Sequence, residues 1–104
     1  MKSEFKIIAD ILKPDTRILD VGCDDGTLME FLKKNKNIDV RGIEISKEKV
    51  QICIAKGLTV IEGNAEFDLK QFPNNSFDYV LLFLKIKIVL FLLFFKTLAS
   101  TFAP

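Results

Sequence analysis

Histidine is absent from the 104 residues of this chain. No imidazole is therefore available as a general base, as a member of a Ser-His-Asp triad or as a metal ligand. The two cysteines, Cys23 and Cys53, do not form a C-x-x-C pair, which excludes a zinc ribbon and a thioredoxin-like motif. We accordingly predict no metal site.

Other absences narrow the class of protein further. The N-terminal segment MKSEFKIIAD carries Glu4 and Asp10 and is not an apolar export signal. We therefore predict that the two cysteines are reduced thiols in the cytoplasm. A formal net charge of +1 argues against a strongly basic nucleic-acid binder. The chain is 49% hydrophobic and 28% charged, which excludes a disordered or collagen-like chain, and its length allows one domain at most.

The body of the chain, residues 1–82, alternates helix and strand patterns. Apolar residues at helical spacing predict helices over 3–13, 26–34 and 47–56. Short apolar runs predict strands over 17–21, 39–45, 58–62 and 77–82, and residues 63–76 predict a connection. Three helices alternating with four strands indicate an α/β fold, the N-terminal half of a doubly wound, Rossmann-like parallel sheet.

A glycine-containing turn follows the first predicted strand, where residues 18–28 read ILDVGCDDGTL. Gly22 allows a tight turn and lets a ligand lie against the backbone, and Gly26 permits close entry into the next helix. The amide groups that open this helix would face a bound anion. The segment has neither the G-x-G-x-x-G pattern nor the Walker Lys-Ser/Thr pair. The alternative is a tight turn that binds no ligand.

Two polar residues follow the next predicted strands. Glu44 lies 22 positions after Gly22, where an acidic side chain can accept hydrogen bonds from both hydroxyls of a ribose. Its alternative is a solvated carboxylate at a strand end. Asn64 could place its amide oxygen against the exocyclic amine of a purine, or could instead cap its own loop as an Asx turn. For Asp78, before the fourth strand, we predict a structural role.

Taken together, ILDVGCDDGTL, GIEIS, KGLTVIEGNAE and FPNNSFDYVLL resemble the MetW family of class I S-adenosylmethionine-dependent methyltransferases over about residues 3–82. The resemblance implies S-adenosylmethionine as the cofactor. It implies that the segment from Asp20 to Gly26 lines the methionine part, that Glu44 holds the ribose, and that Asn64 and Ala65 flank the adenine. The cofactor-binding set implied in this way is Asp20, Gly22, Cys23, Asp24, Gly26, Glu44, Ile45, Asn64 and Ala65.

Two positions depart from the family pattern. Most members carry glycine where this chain has Asp24, and an acid is usual where it has Asn64. Aspartate tolerates a left-handed backbone better than most residues, and asparagine keeps an acceptor oxygen. Both departures bear on affinity for the cofactor rather than on its identity.

The resemblance also implies a role in methionine biosynthesis with a homoserine O-acyltransferase as partner. The motifs identify no catalytic residue and no methyl acceptor, because they belong to the cofactor-binding half of the fold. We therefore expect an incomplete, weakly active or inactive methyltransferase domain. The alternative is a non-enzymatic interaction module that docks on a biosynthetic partner protein.

The tail, residues 83–104, carries none of the family's motifs. Its longest apolar run, residues 88–95, is far shorter than the roughly 20 residues that span a bilayer, which argues against a membrane anchor. A helix that covers the open edge of the sheet is a second interpretation. The abundance of Phe, Leu, Ile and Lys favours a third, a reading frame that has slipped near Leu82. We expect marginal stability and poor solubility from the exposed apolar surface.

Overall fold

Helices and strands alternate along most of the chain in a computed structural model that describes residues 2–73, 75–83 and 90–93. The helices are α1 Lys2–Ile11, α2 Thr27–Asn35, α3 Lys47–Ala55 and α4 Ala65–Asp68, and a 3-10 turn at Leu69–Gln71 follows α4. The strands are β1 Arg17–Val21, β2 Asp39–Glu44, β3 Thr59–Glu62, β4 Tyr79–Phe83 and β5 Leu90–Leu93.

The strands form one sheet in the order β3-β2-β1-β4-β5. The pairs that β1 makes with β2 and β4, and the pair of β2 with β3, are parallel, whereas β5 runs antiparallel to β4. The chain winds outwards from β1 to β3 and then returns to the other side of β1, so the topological switch point lies between β1 and β4. The predicted α/β, Rossmann-like fold is confirmed, and ligands of such sheets bind at the carboxyl ends of the strands.

Alternate residues of the central strands supply two hydrophobic clusters, one on each face of the sheet. Ile18 of β1 packs with residues of α1, α2 and α3 in the larger cluster. Leu19 belongs to the smaller cluster on the opposite face, together with Phe77 and Val80. Each such side chain contributes about 1.5–3 kcal/mol when it is fully buried. The sheet is therefore fixed from both faces, and its strand ends hold a defined position.

The structure contains elements of secondary structure that the sequence patterns do not predict. Residues 63–76 hold α4 and the 3-10 turn rather than a plain connection, and the described sheet has a fifth strand, β5, at the edge where an added helix was one expectation. Our other predictions for the tail fall largely on residues 84–89 and 94–104, outside the described residues. Among the helices that the structure describes, none is long and apolar enough to cross a membrane.

The predicted structural role of Asp78 is confirmed. Its Oδ2 accepts a hydrogen bond of 2.8 Å from the backbone N–H of Arg17, and its Oδ1 lies 3.4 Å from the Arg17 guanidinium. These bonds hold the pKa of the Asp78 carboxyl below its usual value. They join the start of β1 to the residue before β4, at the amino ends of the strands.

Candidate functional site

The loop between β1 and α2 is anchored to the end of β2. The backbone N–H groups of Gly22 and Cys23 both donate to the Ile43 carbonyl, at 2.8 and 3.2 Å. The N–H of Gly26 then donates to the Cys23 carbonyl at 3.0 Å, which closes the turn. Gly22, Asp24 and Gly26 have φ angles of 71°, 57° and 83°, in the left-handed region that favours glycine. The chain therefore reverses direction within five residues.

The two glycines of this loop have different surroundings. A Cβ atom at Gly22 would have no other atom within 4 Å, so the backbone there faces open space. A Cβ atom at Gly26 would lie 3.0 Å from the Cys53 sulfur and would also meet the Leu58 side chain. Gly22 thus leaves its backbone accessible, and Gly26 allows close packing against Cys53 and Leu58, whereas contact of a ligand with Gly22 stays a prediction.

Glu44 ends β2 directly beside this loop. Its side chain is buried, and its Oε1 accepts a 2.7 Å hydrogen bond from the Asp24 N–H while Oε2 accepts one of 2.9 Å from the Ser46 N–H. The alternative of a solvated carboxylate is therefore wrong. Each carboxylate oxygen has a second lone pair, so Glu44 can still accept hydrogen bonds from a ligand. The structure thus brings together Glu44 and the Gly22–Gly26 loop.

Asp20 lies on β1 under the same loop. It is 2% exposed, and its Oδ1 has no hydrogen-bond partner among the described residues. Burial, and secondarily the charge of Glu44, raises the pKa of Asp20 to about 7. An unpartnered buried carboxyl oxygen is costly unless a donor reaches it. The site therefore contains an acceptor whose partner is not supplied by the described part of the chain.

Asn64 caps the loop after β3. Its Oδ1 accepts a 2.9 Å hydrogen bond from the Glu66 N–H, and its own N–H donates to Asp68 Oδ2 at 2.7 Å. The N–H of Gly63 donates to the Glu44 carbonyl at 3.0 Å, which ties this loop to the end of β2. The Asx-turn alternative is confirmed for Asn64. Contact of Asn64 and the half-buried Ala65 with an adenine stays a prediction.

The three remaining residues of the predicted site differ in burial and in contacts. Cys23 is 5% exposed and its side chain belongs to the larger hydrophobic cluster, so only its backbone can line the crevice. Asp24 lies half-buried in the loop, with its carboxylate 3.4 Å from the Lys49 ammonium of α3. Ile45 is 67% exposed next to Glu44 and presents a free apolar surface at the end of β2.

Sequence reasoning did not identify Lys49 and Asp68 as parts of this site. Lys49 comes close to Asp24 only through the packing of α3 beside the loop, and no local pattern signals that approach. Asp68 had a usable signal, because an acid four residues after an asparagine can return to cap the same turn. Together they fix the two loops that flank Glu44.

The comparisons with known proteins agree with this geometry. A structure described as a SAM-dependent methyltransferase from Archaeoglobus fulgidus superimposes with a TM-score of 0.72 at 26% identity, over 82% of this chain and 38% of that one. Phosphoethanolamine N-methyltransferase 3 of Arabidopsis thaliana is 30% identical over 91% of this chain. The bifunctional methionine biosynthesis protein MetXA/MetW of Rhodopirellula baltica is 25% identical over 72% of it.

This chain is much shorter than those curated relatives. It spans 21% of the Arabidopsis protein and 13% of the Rhodopirellula protein. The family described as methionine biosynthesis protein MetW matches residues 2–90, somewhat beyond the motifs that end at Leu82. With a methyltransferase fold and this match over most of its length, the chain belongs to the MetW family.

Proposed function

We propose that this chain binds S-adenosylmethionine at the carboxyl ends of β1, β2 and β3. One observation carries the proposal: Glu44, the acid in the ribose position, bonds directly to the backbone of the glycine loop, at 2.7 Å from the Asp24 nitrogen. A nucleoside held by Glu44 would therefore lie against the open backbone of Gly22. The acidic residue and the glycine loop, which a nucleoside site needs together, are therefore in direct contact although they are separate in the sequence.

The residues present fit this cofactor. The open space over Gly22 admits a ligand, the carboxylate of Glu44 can accept from two ribose hydroxyls, and the unpartnered Oδ1 of Asp20 offers an acceptor to a cationic or hydrogen-bonding group. When bound, S-adenosylmethionine supplies a methyl group on a positively charged sulfur. The work of these residues is to bind and orient, which is how an enzyme of this kind gains most of its rate.

We propose further that the chain acts as a methyltransferase-like protein of methionine biosynthesis, in the cytoplasm, with a homoserine O-acyltransferase as its partner. The Rhodopirellula relative supports the partnership, because its name joins MetXA to MetW in one bifunctional protein. Retention of the acyltransferase by this chain on an affinity column would support a docking role. If it is retained equally well when Glu44 is replaced, docking does not depend on the nucleoside site.

Calorimetry with S-adenosylmethionine tests the binding proposal. Replacing Glu44 by alanine removes a charged acceptor from the ribose, and we expect affinity to fall roughly 100-fold, since such hydrogen bonds contribute about 1.5–3 kcal/mol. Asp39→Asn is the matched control, because Asp39 is an exposed acid at the opposite end of β2. Circular dichroism establishes that both variants fold. Absence of binding by the unmodified chain at millimolar ligand would contradict the proposal.

A further inference from the structure

The proposed function uses the buried acid Asp20 as an acceptor but does not assign the charge state of its carboxyl group before a ligand binds. Asp20 is 2% exposed, and its Oδ1 lacks a hydrogen-bond partner within the described residues. On β1 it is in register with Gly42 of β2 on one side and Leu81 of β4 on the other, neither of which carries a charge. An isolated carboxylate in such surroundings is strongly destabilised relative to the neutral acid.

The titratable groups near Asp20 do not relieve this cost. Glu44 of β2 adds a second negative charge and acts on Asp20 in the same direction as burial. In the loop, Cys23 has its pKa raised chiefly by burial and then by Asp20, and burial also raises the pKa of Cys53 on α3. Both thiols are therefore neutral at physiological pH. Two lysines beside the loop and α2, Lys49 and Lys56, pair with Asp24 and Glu30 instead.

We propose that the Asp20 carboxyl is partly protonated in the ligand-free protein at neutral pH, almost fully protonated in weak acid, and releases its proton when a cationic group of the ligand enters the crevice. This inference rests on the proposed function, because it requires a cationic nucleoside at the site. The O–H bond of the carboxyl breaks, the electron pair stays on the oxygen, and the proton passes to the buffer. The carboxylate then faces a positive charge in a water-poor environment, where their attraction is strong.

Ligand affinity should then depend on pH in a defined direction. Since the pKa of Asp20 is about 7 in the free protein, binding at higher pH needs no proton release. Below that value the proton must be removed first, and affinity should fall by up to tenfold per pH unit. A ligand without a positive charge near Asp20 should show no such dependence.

The first measurement does not need a ligand. Carbon-13 NMR of the carboxyl groups of the full chain should show Asp20 titrating near pH 7, identified by loss of the signal in Asp20→Asn. Titration of Asp20 in the range of an ordinary aspartate, near pH 4, would overturn the inference whatever the protein binds.

The second measurement gives the number of protons released when the ligand binds. Calorimetry of S-adenosylmethionine binding at pH 7 in phosphate and in Tris, which differ in ionisation enthalpy, should show release of about half a proton, rising towards one at lower pH. Asp20→Asn should release none, and Asp39→Asn should behave as the unmodified chain. S-adenosylhomocysteine, which keeps the ammonium but lacks the sulfonium, shows which cation acts: release with both ligands assigns the ammonium, and release with S-adenosylmethionine alone assigns the sulfonium.

The outcomes separate the inference from the proposed function. Binding of S-adenosylmethionine with no proton release between pH 5 and 8 would overturn the inference and leave the proposed function intact. Failure of any binding, with Asp20 titrating near pH 7, would overturn both the nucleoside site and the coupling to it.

Discussion

Carboxylates at the two ends of this sheet differ in burial and in ion pairing. At the amino ends, Asp78 bonds to Arg17 and Asp39 lies 3.4 Å from Arg41, and all four side chains are partly or largely open to solvent. At the carboxyl ends, Asp20 and Glu44 are buried, and no ion pair joins either one to a cation in the part of the chain that the structure describes. The pKa of Asp78 is accordingly lowered and that of Asp20 is raised.

The difference separates two uses of an acid. At the amino ends an acid stabilises the fold, because a nearby cation and a backbone N–H favour its charged form. At the carboxyl ends Asp20 is held where its charge is costly, and the fold gains nothing from that arrangement alone. Ionisable groups in surroundings that disfavour their charged form are typical of binding and catalytic sites. The contrast can be tested by changing one end at a time.

Replacing Asp20 by asparagine should produce the largest change. The raised pKa of Asp20 means that the stability linked to its protonated form is fully present below the unfolded-state pKa of 3.8 and is lost as pH rises through about 7. The free energy of unfolding of Asp20→Asn should therefore exceed that of the unmodified chain increasingly over this range, by on the order of 4 kcal/mol above pH 7. Urea unfolding at several pH values measures it, and a difference that is constant with pH would contradict the raised pKa.

The two glycines of the loop should respond unequally to alanine. Gly26→Ala combines a positive φ with contacts to Cys53 and Leu58, and should lower the free energy of unfolding by about 3 kcal/mol. Gly22→Ala meets no atom and should cost only about 1 kcal/mol, from its positive φ. Thermal unfolding gives both values.

Affinity for the ligand should depend more on Gly22 than on Gly26, the reverse of their order in stability. A methyl group at Gly22 would occupy the open space that we assign to the ligand, so calorimetry should show weaker binding by Gly22→Ala than its small loss of stability suggests. Unchanged affinity in that variant would place the ligand elsewhere.

The smallest effect is expected at the amino end. Asp78→Ala removes one backbone hydrogen bond and an exposed ion pair with Arg17, and should lower the free energy of unfolding by about 1 kcal/mol at pH 7. Because the pKa of Asp78 is lowered, its contribution is present above the unfolded-state pKa of 3.8 and is lost as pH falls below it. The effect should therefore shrink in acid, opposite to the behaviour of Asp20, and affinity for S-adenosylmethionine should not change.

Most of the fold could be predicted because its signals are local. The strand at Arg17–Val21 has the bounds that its apolar run predicts, and α3 begins after Ser46, a residue type that favours the cap position, whose Oγ accepts from the Lys49 N–H. The position of Glu44 followed from its distance along the chain after Gly22. These features depend on apolar period, turn residues and caps, which the sequence carries directly.

The parts that could not be predicted depend on tertiary contacts. Helix α4 has only four residues, too few for a recognisable period. It is stabilised at its start because Asn64 Oδ1 accepts from the Glu66 N–H and Asp68 accepts from the N–H of Asn64, the cap residue. The motif predicts Cys23 as a residue of the site but does not show that only its backbone is available there. The Cys23 side chain enters the core because Gly42 leaves room there: a Cβ at that glycine would lie 2.6 Å from the Cys23 sulfur.

The way in which β2 ends has a consequence for insertions and deletions. The Ile43 carbonyl holds the loop after β1, the Glu44 carbonyl holds the loop after β3, and the Glu44 side chain holds Asp24. Gain or loss of one residue within β2 would turn every later side chain of that strand to the opposite face and release both loops together. Extra residues in the turn between α2 and β2, at the far end of the strand, would leave these attachments in place. Length variation among homologous chains should accordingly be common before β2 and absent within it.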